Sequence, residues 1–368
     1  MFAGMSTAWT LDAVTALYRT PLLELVYRAA TVHRQHHNPN EVQISTLVNI
    51  KSGGCPEDCA YCPQAARYHT GVDSEALLSV EQVTTAAKRA KALGSSRLCM
   101  GAAWRNVENN ADFNHVLDLV RAVNKEDLEV CCTLGMLTEE QAERLSRAGL
   151  YAYNHNVDTS EEYYEEIIST RTYEDRIATL GNARRAGITL CSGGIIGMGE
   201  SVEDRCKMLL TLTQFDPPVE SVPINALVAV AGTPLEDQEP IPIWDMIRMV
   251  ATTRIVLPET TIRLSAGRTT MSREGQAFCF LAGAGSIFAG DQLLTTPNPN
   301  VFDDLLMFRE LGLDTVAPYA KHPRRAISDD LETTSTDKVR WQRPQHRIAA
   351  NVAKSREAVI KRKSEGGV

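Results

Sequence analysis

Along the 368-residue chain, short runs of β-branched and apolar residues alternate with stretches whose apolar positions recur at helical spacing. That alternation is the pattern of repeated βα units, in which each strand returns through a helix to lie parallel to the one before. Eight strands are predicted: Gln43 to Ile50, Arg97 to Ala102, Leu128 to Leu134, Tyr151 to Val157, Ile188 to Ser192, Ser221 to Val228, Thr261 to Ser265 and Ser286 to Ala289. The helical stretches among them run over Val80–Leu93, Phe113–Val123, Glu139–Ala148, Tyr173–Ala186, Val202–Phe215, Ile243–Val256 and Arg273–Ala282. Eight units predict the α/β class and a single (β/α)8 TIM-type barrel over residues 41–316, a fold that needs about 250 residues.

The flanks read differently. Residues 1–40 carry helical spacing in Leu11, Val14, Leu17, Leu22, Leu23 and Val26, and are expected to form an N-terminal helical extension. Residues 317–368 are basic, with Lys321, Arg324, Arg325, Lys361, Arg362 and Lys363, few large apolar side chains and no strand pattern. The expectation is an irregular, flexible, solvated tail, with docking of a partner as the other reading.

Composition narrows the class of function. With 43% hydrophobic and 23% charged residues the chain can bury a substantial core, which excludes general disorder. A net charge of -8 without a Lys/Arg stripe on the main body argues against a nucleic-acid surface. The start shows no secretion signal and no apolar run is long enough to cross a membrane, so a cytoplasmic protein is expected. Nine cysteines in such a chain point to thiol or metal chemistry rather than disulfides.

Three of them lie in the segment Lys51-Ser-Gly-Gly-Cys55-Pro-Glu-Asp-Cys59-Ala-Tyr61-Cys62-Pro, just after the first strand, where a barrel carries its catalytic loops. Three thiolates can hold three irons of a 4Fe-4S cluster and leave the fourth open to an exogenous group. A structural zinc site is the alternative, but it usually has a second Cys or His pair, which is lacking here. The C-x3-C-x2-C spacing, with Tyr61 before its last cysteine, is similar to the signature of the radical S-adenosylmethionine (SAM) superfamily. The turn Gly193-Gly-Ile195-Ile-Gly-Met-Gly199-Glu200 resembles a SAM-contacting motif there, where glycine would let the backbone approach a ligand; tight packing is the other reading.

Cys99, Cys131 and Cys191 lie on three different predicted strands, and alternation of side chains could bring them together inside a barrel as a second metal site. Buried strand cysteines are otherwise ordinary core residues. Either Cys131 or its neighbour Cys132 can point inward, but not both. Asn154, Asn156 and Asp158 share one parity on the fourth strand, so they are expected to face the interior together, with His155 opposite and structural. Lys51 and Arg97 are candidate charge partners near the metal sites.

Together with Tyr153-Asn-His-Asn156-Val-Asp158-Thr, Ser221-Val-Pro-Ile-Asn225, Arg263-Leu-Ser-Ala-Gly-Arg268 and Leu294-Thr-Thr-Pro-Asn-Pro, these motifs resemble the biotin synthase family over roughly residues 40 to 313. The resemblance implies a second, 2Fe-2S cluster on Cys99, Cys131, Cys191 and Arg263, the Thr-Leu-Gly that follows selecting Cys131 over Cys132. It implies SAM contacts from Tyr61, Asn156, Asp158, Arg176, Ile195 and Val228, with Arg176 holding the SAM carboxylate, and dethiobiotin contacts from Asn156, Asp158 and Asn225. It further implies that the reduced 4Fe-4S cluster cleaves SAM to a 5'-deoxyadenosyl radical, which removes hydrogen from dethiobiotin. The resemblance also implies that the 2Fe-2S cluster gives up sulfur to close the biotin ring. A reductant such as flavodoxin or ferredoxin, iron–sulfur assembly proteins and a homodimer belong to the same expectation. A radical SAM relative of other specificity would need only the first three cysteines; in a non-catalytic metal-binding module the basic tail would be the partner surface and the glycine turn merely packing.

Overall fold

A computed structural model describes residues 9–324, apart from residue 291, together with Ile327. Eight parallel strands form the barrel: β1 Glu41–Lys51, β2 Arg97–Ala102, β3 Glu129–Thr133, β4 Ala152–Asn154, β5 Thr189–Cys191, β6 Ser221–Ala226, β7 Thr261–Leu264 and β8 Ala284–Ala289. Each pairs with the next, and β8 closes on β1 through Gln43↔Ser286 to Thr46↔Ala289. This is the predicted fold. Strands such as β6 and β7 are buried along their whole length, as a sheet covered on both faces requires.

The helices follow in chain order: α1 Leu11–Tyr18, α2 Leu22–His36, α3 Val80–Ala92, α4 Ala111–Lys125, α5 Glu139–Arg147, α6 Glu161–Ile167, α7 Tyr173–Arg185, α8 Val202–Thr213, α9 Ile243–Val256, α10 Arg273–Leu281 and α11 Val301–Leu311. Four of them start with a reciprocal capping box, Ser79/Gln82, Thr138/Gln141, Thr172/Asp175 and Ser201/Asp204, which satisfies amide donors that a helix end leaves free. Helices α1 and α2 pack on α8 and α9, where Arg205 on α8 donates to the Tyr18 hydroxyl at 2.9 Å. Among the described residues no helix is long and apolar enough to cross a membrane.

Three small additions finish the barrel. Gly194–Ile196 adds to β6, the pair Gln292–Leu293 and Thr296–Pro297 makes a hairpin over the β1 and β2 mouth, and Asp314–Thr315 pairs with the start of β1. Of the expected tail, residues 317–324 are described and run under the barrel; Tyr319 donates its hydroxyl to Leu128 O at 2.6 Å and packs edge-on against Tyr151. The remainder apart from Ile327, with Arg325 and the Lys361-Arg-Lys run, lies outside the described residues.

Candidate functional site

The loop after β1 is tied to the barrel by its own backbone. Cys55 N–H donates to Gln64 O at 3.0 Å, Cys62 N–H to Cys59 O at 2.9 Å and Ala60 N–H to Ile167 O at 2.9 Å. Gly53, at φ +64°, lies where a Cβ would come within 2.3 Å of Asp73 O, so this turn needs glycine. Asp58 fastens the loop to the connection before α7: against the cost of burial, donors from Ser169 and Thr170 hold its carboxyl down at about 2. That connection carries Arg171, whose Nη2 lies 3.5 Å from Cys59 Sγ.

Cys55, Cys59 and Cys62 are free thiols at the wall of one cavity of about 280 Å3, and burial raises the pKa of each, that of Cys62 to about 12. Among the described residues no three His, Cys, Asp or Glu side chains converge on a point as ligands of one metal ion do. Three free thiols on one loop, with no fourth Cys or His among the described residues of the cavity lining save His155 and, on β2, Cys99, fit an iron–sulfur cube, which takes each thiolate on a separate iron, better than a four-ligand zinc site. Arg171, buried and with no carboxylate ion pair among the described residues, is suited to offset the negative charge of such a group.

The inner end of the same cavity is set by strand register. Cys99 on β2 is the direct partner of Cys131 on β3, and Arg263 on β7 is the partner of Ser286 on β8, which in turn faces Gln43 on β1. Arg263 is fully buried: it donates to Ser286 Oγ at 2.9 Å and to Gln43 Oε1 at 3.2 Å, and its Nη1 lies 3.5 Å from Cys191 Sγ. The Cys131 thiol donates to Cys99; despite burial, that bond with Arg263 and Arg97 lowers Cys99, while its donation raises Cys131. Three free thiols around a guanidinium that has no carboxylate partner among the described residues fit a small, anionic iron–sulfur cluster. Cys131 packs with Cys99, Tyr151 and Phe288 inside the barrel, whereas Cys132 lies in the layer between strands and helices.

Between the two thiol sets, the cavity is lined by Tyr61, Asn156, Asp158, Arg176, Ile195, Asn225 and Val228, every residue that the sequence assigned to SAM or substrate. Asp158 organises them. Its Oδ2 accepts from the Tyr61 hydroxyl at 2.7 Å and pairs with Arg176 Nη2; Arg176 also donates to the Tyr164 hydroxyl at 2.6 Å and Asn156 O at 2.5 Å. In this structure the Arg176 guanidinium is therefore engaged with Asp158, so a ligand carboxylate would have to share it. Asn225 donates to Gly194 O at 2.9 Å and accepts from Ala266 N–H at 3.1 Å.

Some expectations shift. β4 ends at Asn154, so Asn156 and Asp158 reach the cavity from a loop, Asp158 at φ +69°, and not by strand parity. The Gly193-Gly194 pair allows protein to approach protein: a Cβ on Gly193 would lie 2.0 Å from Pro223 O, and one on Gly194 2.3 Å from Asp158 O. Arg97 is paired with Glu129, Nε to Oε2 at 2.8 Å, and Lys51 donates to Gly53 O at 3.1 Å. His155, expected to be structural, does line the cavity, held neutral by burial and by Arg176 and Arg171.

Sequence reasoning missed Arg171, Gln43 and Glu129. A signal for Arg171 exists, since a cation directly before the helix cap Thr172 opposes the helix dipole and needs another reason to be there. Gln43 accepts from Arg263 and donates to Glu129 Oε2 at 3.0 Å, which makes Arg263, Gln43, Glu129 and Arg97 one polar layer across the floor of the cavity.

Comparison with known proteins agrees with this geometry. Residues 49–212 match the radical SAM superfamily model and residues 223–314 the Biotin and Thiamin Synthesis associated domain. Biotin synthase of Christiangramia forsetii is 61% identical over 96% of this chain and 98% of its own, and that of Nostoc punctiforme 53% identical over 88% and 98%. Among solved structures, methylornithine synthase (TM-score 0.71, 16% identity, 84% of this chain and 95% of that one) and the FeFe-hydrogenase maturase HydG of Carboxydothermus hydrogenoformans (0.73, 16%, 83% and 76%) share the fold. With that identity over nearly its whole length, the chain belongs to the biotin synthase family of radical SAM enzymes.

Proposed function

We infer that the protein is a sulfurtransferase that converts dethiobiotin to biotin by radical SAM chemistry. The observation that carries this reading is the presence of two separate free-thiol sets about one cavity: Cys55, Cys59 and Cys62 line its wall, and Cys99 and Arg263 line its inner end with Cys131, the strand partner of Cys99, and Cys191, 3.5 Å from Arg263, packed behind them. A radical SAM enzyme that only cleaves SAM has no need of the second set.

The carbons to be attacked are saturated, so acid–base catalysis cannot open their C–H bonds. When bound, a 4Fe-4S cluster with SAM supplies the hydrogen-abstracting radical, and a 2Fe-2S cluster supplies the sulfur. The chain's part is to bind, orient and shield. Cys55, Cys59 and Cys62 hold the first cluster, with Arg171 beside Cys59. Cys99, Cys131, Cys191 and Arg263 hold the second. Tyr61, Asp158 and Arg176, joined in one buried hydrogen-bonded set, orient SAM together with Asn156, Ile195 and Val228. Asn225 presents its amide to the ureido group of dethiobiotin, with Asn156 and Asp158 nearby. The closed barrel keeps water from the reacting carbons.

In this reading residues 41–316 are the catalytic barrel, 1–40 an extension that braces α8 and α9, and 317–368 an appendage. A cytoplasmic homodimer, served by flavodoxin or ferredoxin and by iron–sulfur assembly proteins, completes the proposal. The test is anaerobic reconstitution with iron and sulfide counting and an absorption spectrum, then assay with dethiobiotin, SAM and reductant. Two kinds of cluster, 5'-deoxyadenosine and biotin are expected. Deoxyadenosine without biotin from a chain carrying both clusters would overturn the substrate, and zinc without iron would overturn the chemistry.

A further inference from the structure

A second cavity, of about 180 Å3, lies on the other side of the polar floor, at the N-terminal ends of the barrel strands. His33 and His37 of α2, Arg254 of α9, Ser221, Thr261 and Lys321 line it. None of these was assigned a role by the chemistry of the upper cavity.

Its charges do not balance. Glu129 is taken by Arg97 and by Tyr319 N–H at 2.9 Å, and Glu220 by Arg184 and by Leu190 N–H at 2.8 Å. Arg254, fully buried, has no carboxylate in ion-pair range among the described residues; its donors go to the carbonyls of Gly283, Pro258 and Thr260. Carbonyls satisfy its hydrogen bonds but bring no net charge. Lys321 places Nζ 2.8 Å from Thr261 Oγ1 and 3.2 Å from His37 Nδ1, again with no ion pair to a carboxylate among the described residues. Glu41, the third carboxylate at this cavity, is exposed, accepts from Asn38 Nδ2 at 2.9 Å and forms no ion pair with either cation among the described residues. Two cations, one of them fully buried, therefore face a single solvated carboxylate, an arrangement that a further counter-charge would stabilise. His33 Nδ1 and Ser221 Oγ are also buried without a hydrogen-bond partner.

We propose that this lower cavity is a binding site for a small inorganic oxoanion of the phosphate or sulfate type, held between Lys321 and Arg254. Its size admits an ion of that class and excludes a nucleotide or a SAM-sized molecule. The charged and titratable groups facing Lys321 are Glu41 of β1, Arg97 of β2, Glu129 of β3, Arg254 of α9 and the neutral His33 and His37 of α2. Burial, with Arg254 and Arg97, lowers Lys321 to about 8, and a bound anion would raise it again.

The probe is inorganic phosphate titrated calorimetrically into the anaerobic holoenzyme at constant ionic strength. One saturable site is expected, weakened about tenfold or more in Lys321→Met and retained in Lys321→Arg. Saturating SAM should leave it unchanged, because SAM occupies the upper cavity. A second measurement needs no variant: sulfate binding near pH 8, compared in buffers of different ionisation heat, should take up protons. Absence of saturable binding, equal affinity in folded Lys321→Met, displacement by SAM, or sulfate binding without proton uptake would each overturn the proposal. Loss of biotin synthesis in the same preparation would not, so the two readings fail separately.

Discussion

Cys131 and Cys132 are chemically identical neighbours that β3 sends to opposite faces, one to the barrel interior beside Cys99 and one into the hydrophobic layer under the helices. Position alone separates their roles. Cys131→Ala is expected to abolish biotin formation while leaving part of the SAM cleavage, measured as 5'-deoxyadenosine. Cys132→Ala removes only packing: activity should stay near wild type, with a stability loss of about 1–2 kcal/mol in denaturant unfolding. Loss of biotin formation in folded Cys132→Ala would reverse the assignment. The same alternation places Arg97 with Cys99 and Glu129 with Cys131 on inward positions, so the polar floor was legible as a period of two once the strands were known. Asp158 was not legible in this way. Its left-handed backbone takes it out of strand geometry, and its approach to the cavity depends on the bridge to Gly194, which lies 36 residues on.

At the scale of elements, all eight strands and the helices other than α6 and α11 could be read from the sequence, because buried parallel strands are apolar runs and amphipathic helices keep a 3.6-residue period. What could not be read is how closely the connections pack. The glycine turn after β5 illustrates this: its pattern suggested room for a ligand, but the space is filled by Pro223, Asp158 and Met208. In Gly194→Ala the new methyl would sit 2.2 Å from Met208 Sδ and 2.3 Å from Asp158 O, and the backbone oxygen cannot rotate away. We expect a destabilisation of about 3 kcal/mol or more, with loss of SAM binding as Asp158 is displaced. An unchanged denaturation midpoint would refute this account. Glu200, the last residue of the motif, fixes the turn by accepting from Gly197 N–H at 2.9 Å and Met198 N–H at 2.8 Å. The motif thus shapes the cavity wall from behind.

For the whole molecule, the two ends of the barrel carry different chemistry, and the lower end governs acid stability. Burial, aided by Arg254, lowers His33 and His37 from 6.5 to about 3. Between those values the unfolded chain binds more protons than the folded one, so stability falls as pH is lowered through that window. For His33, which is 2% exposed, the loss at pH 5 is about 2 kcal/mol. Melting curves between pH 8 and pH 5 should show this slope, and His33→Leu should flatten it; identical slopes in both proteins would rule out His33 as the cause. No sequence pattern announced this cavity, because it is assembled from α2, α9, all eight barrel strands and the segment around Lys321, which only barrel closure brings together.

Closure also sets a timetable. The Ser286 hydroxyl that seals β8 to β1 donates to Gln43 O across 243 residues, and Asp314–Thr315 covers the start of β1 later still. On the ribosome, β1 is made first and waits, its edge unpaired, until nearly the whole chain has emerged. The interior thiols of Cys99, Cys131 and Cys191 are synthesised well before Arg263 and β8 can enclose them. During translation the future reaction chamber is an open trough, and the last strand to arrive turns it into a vessel.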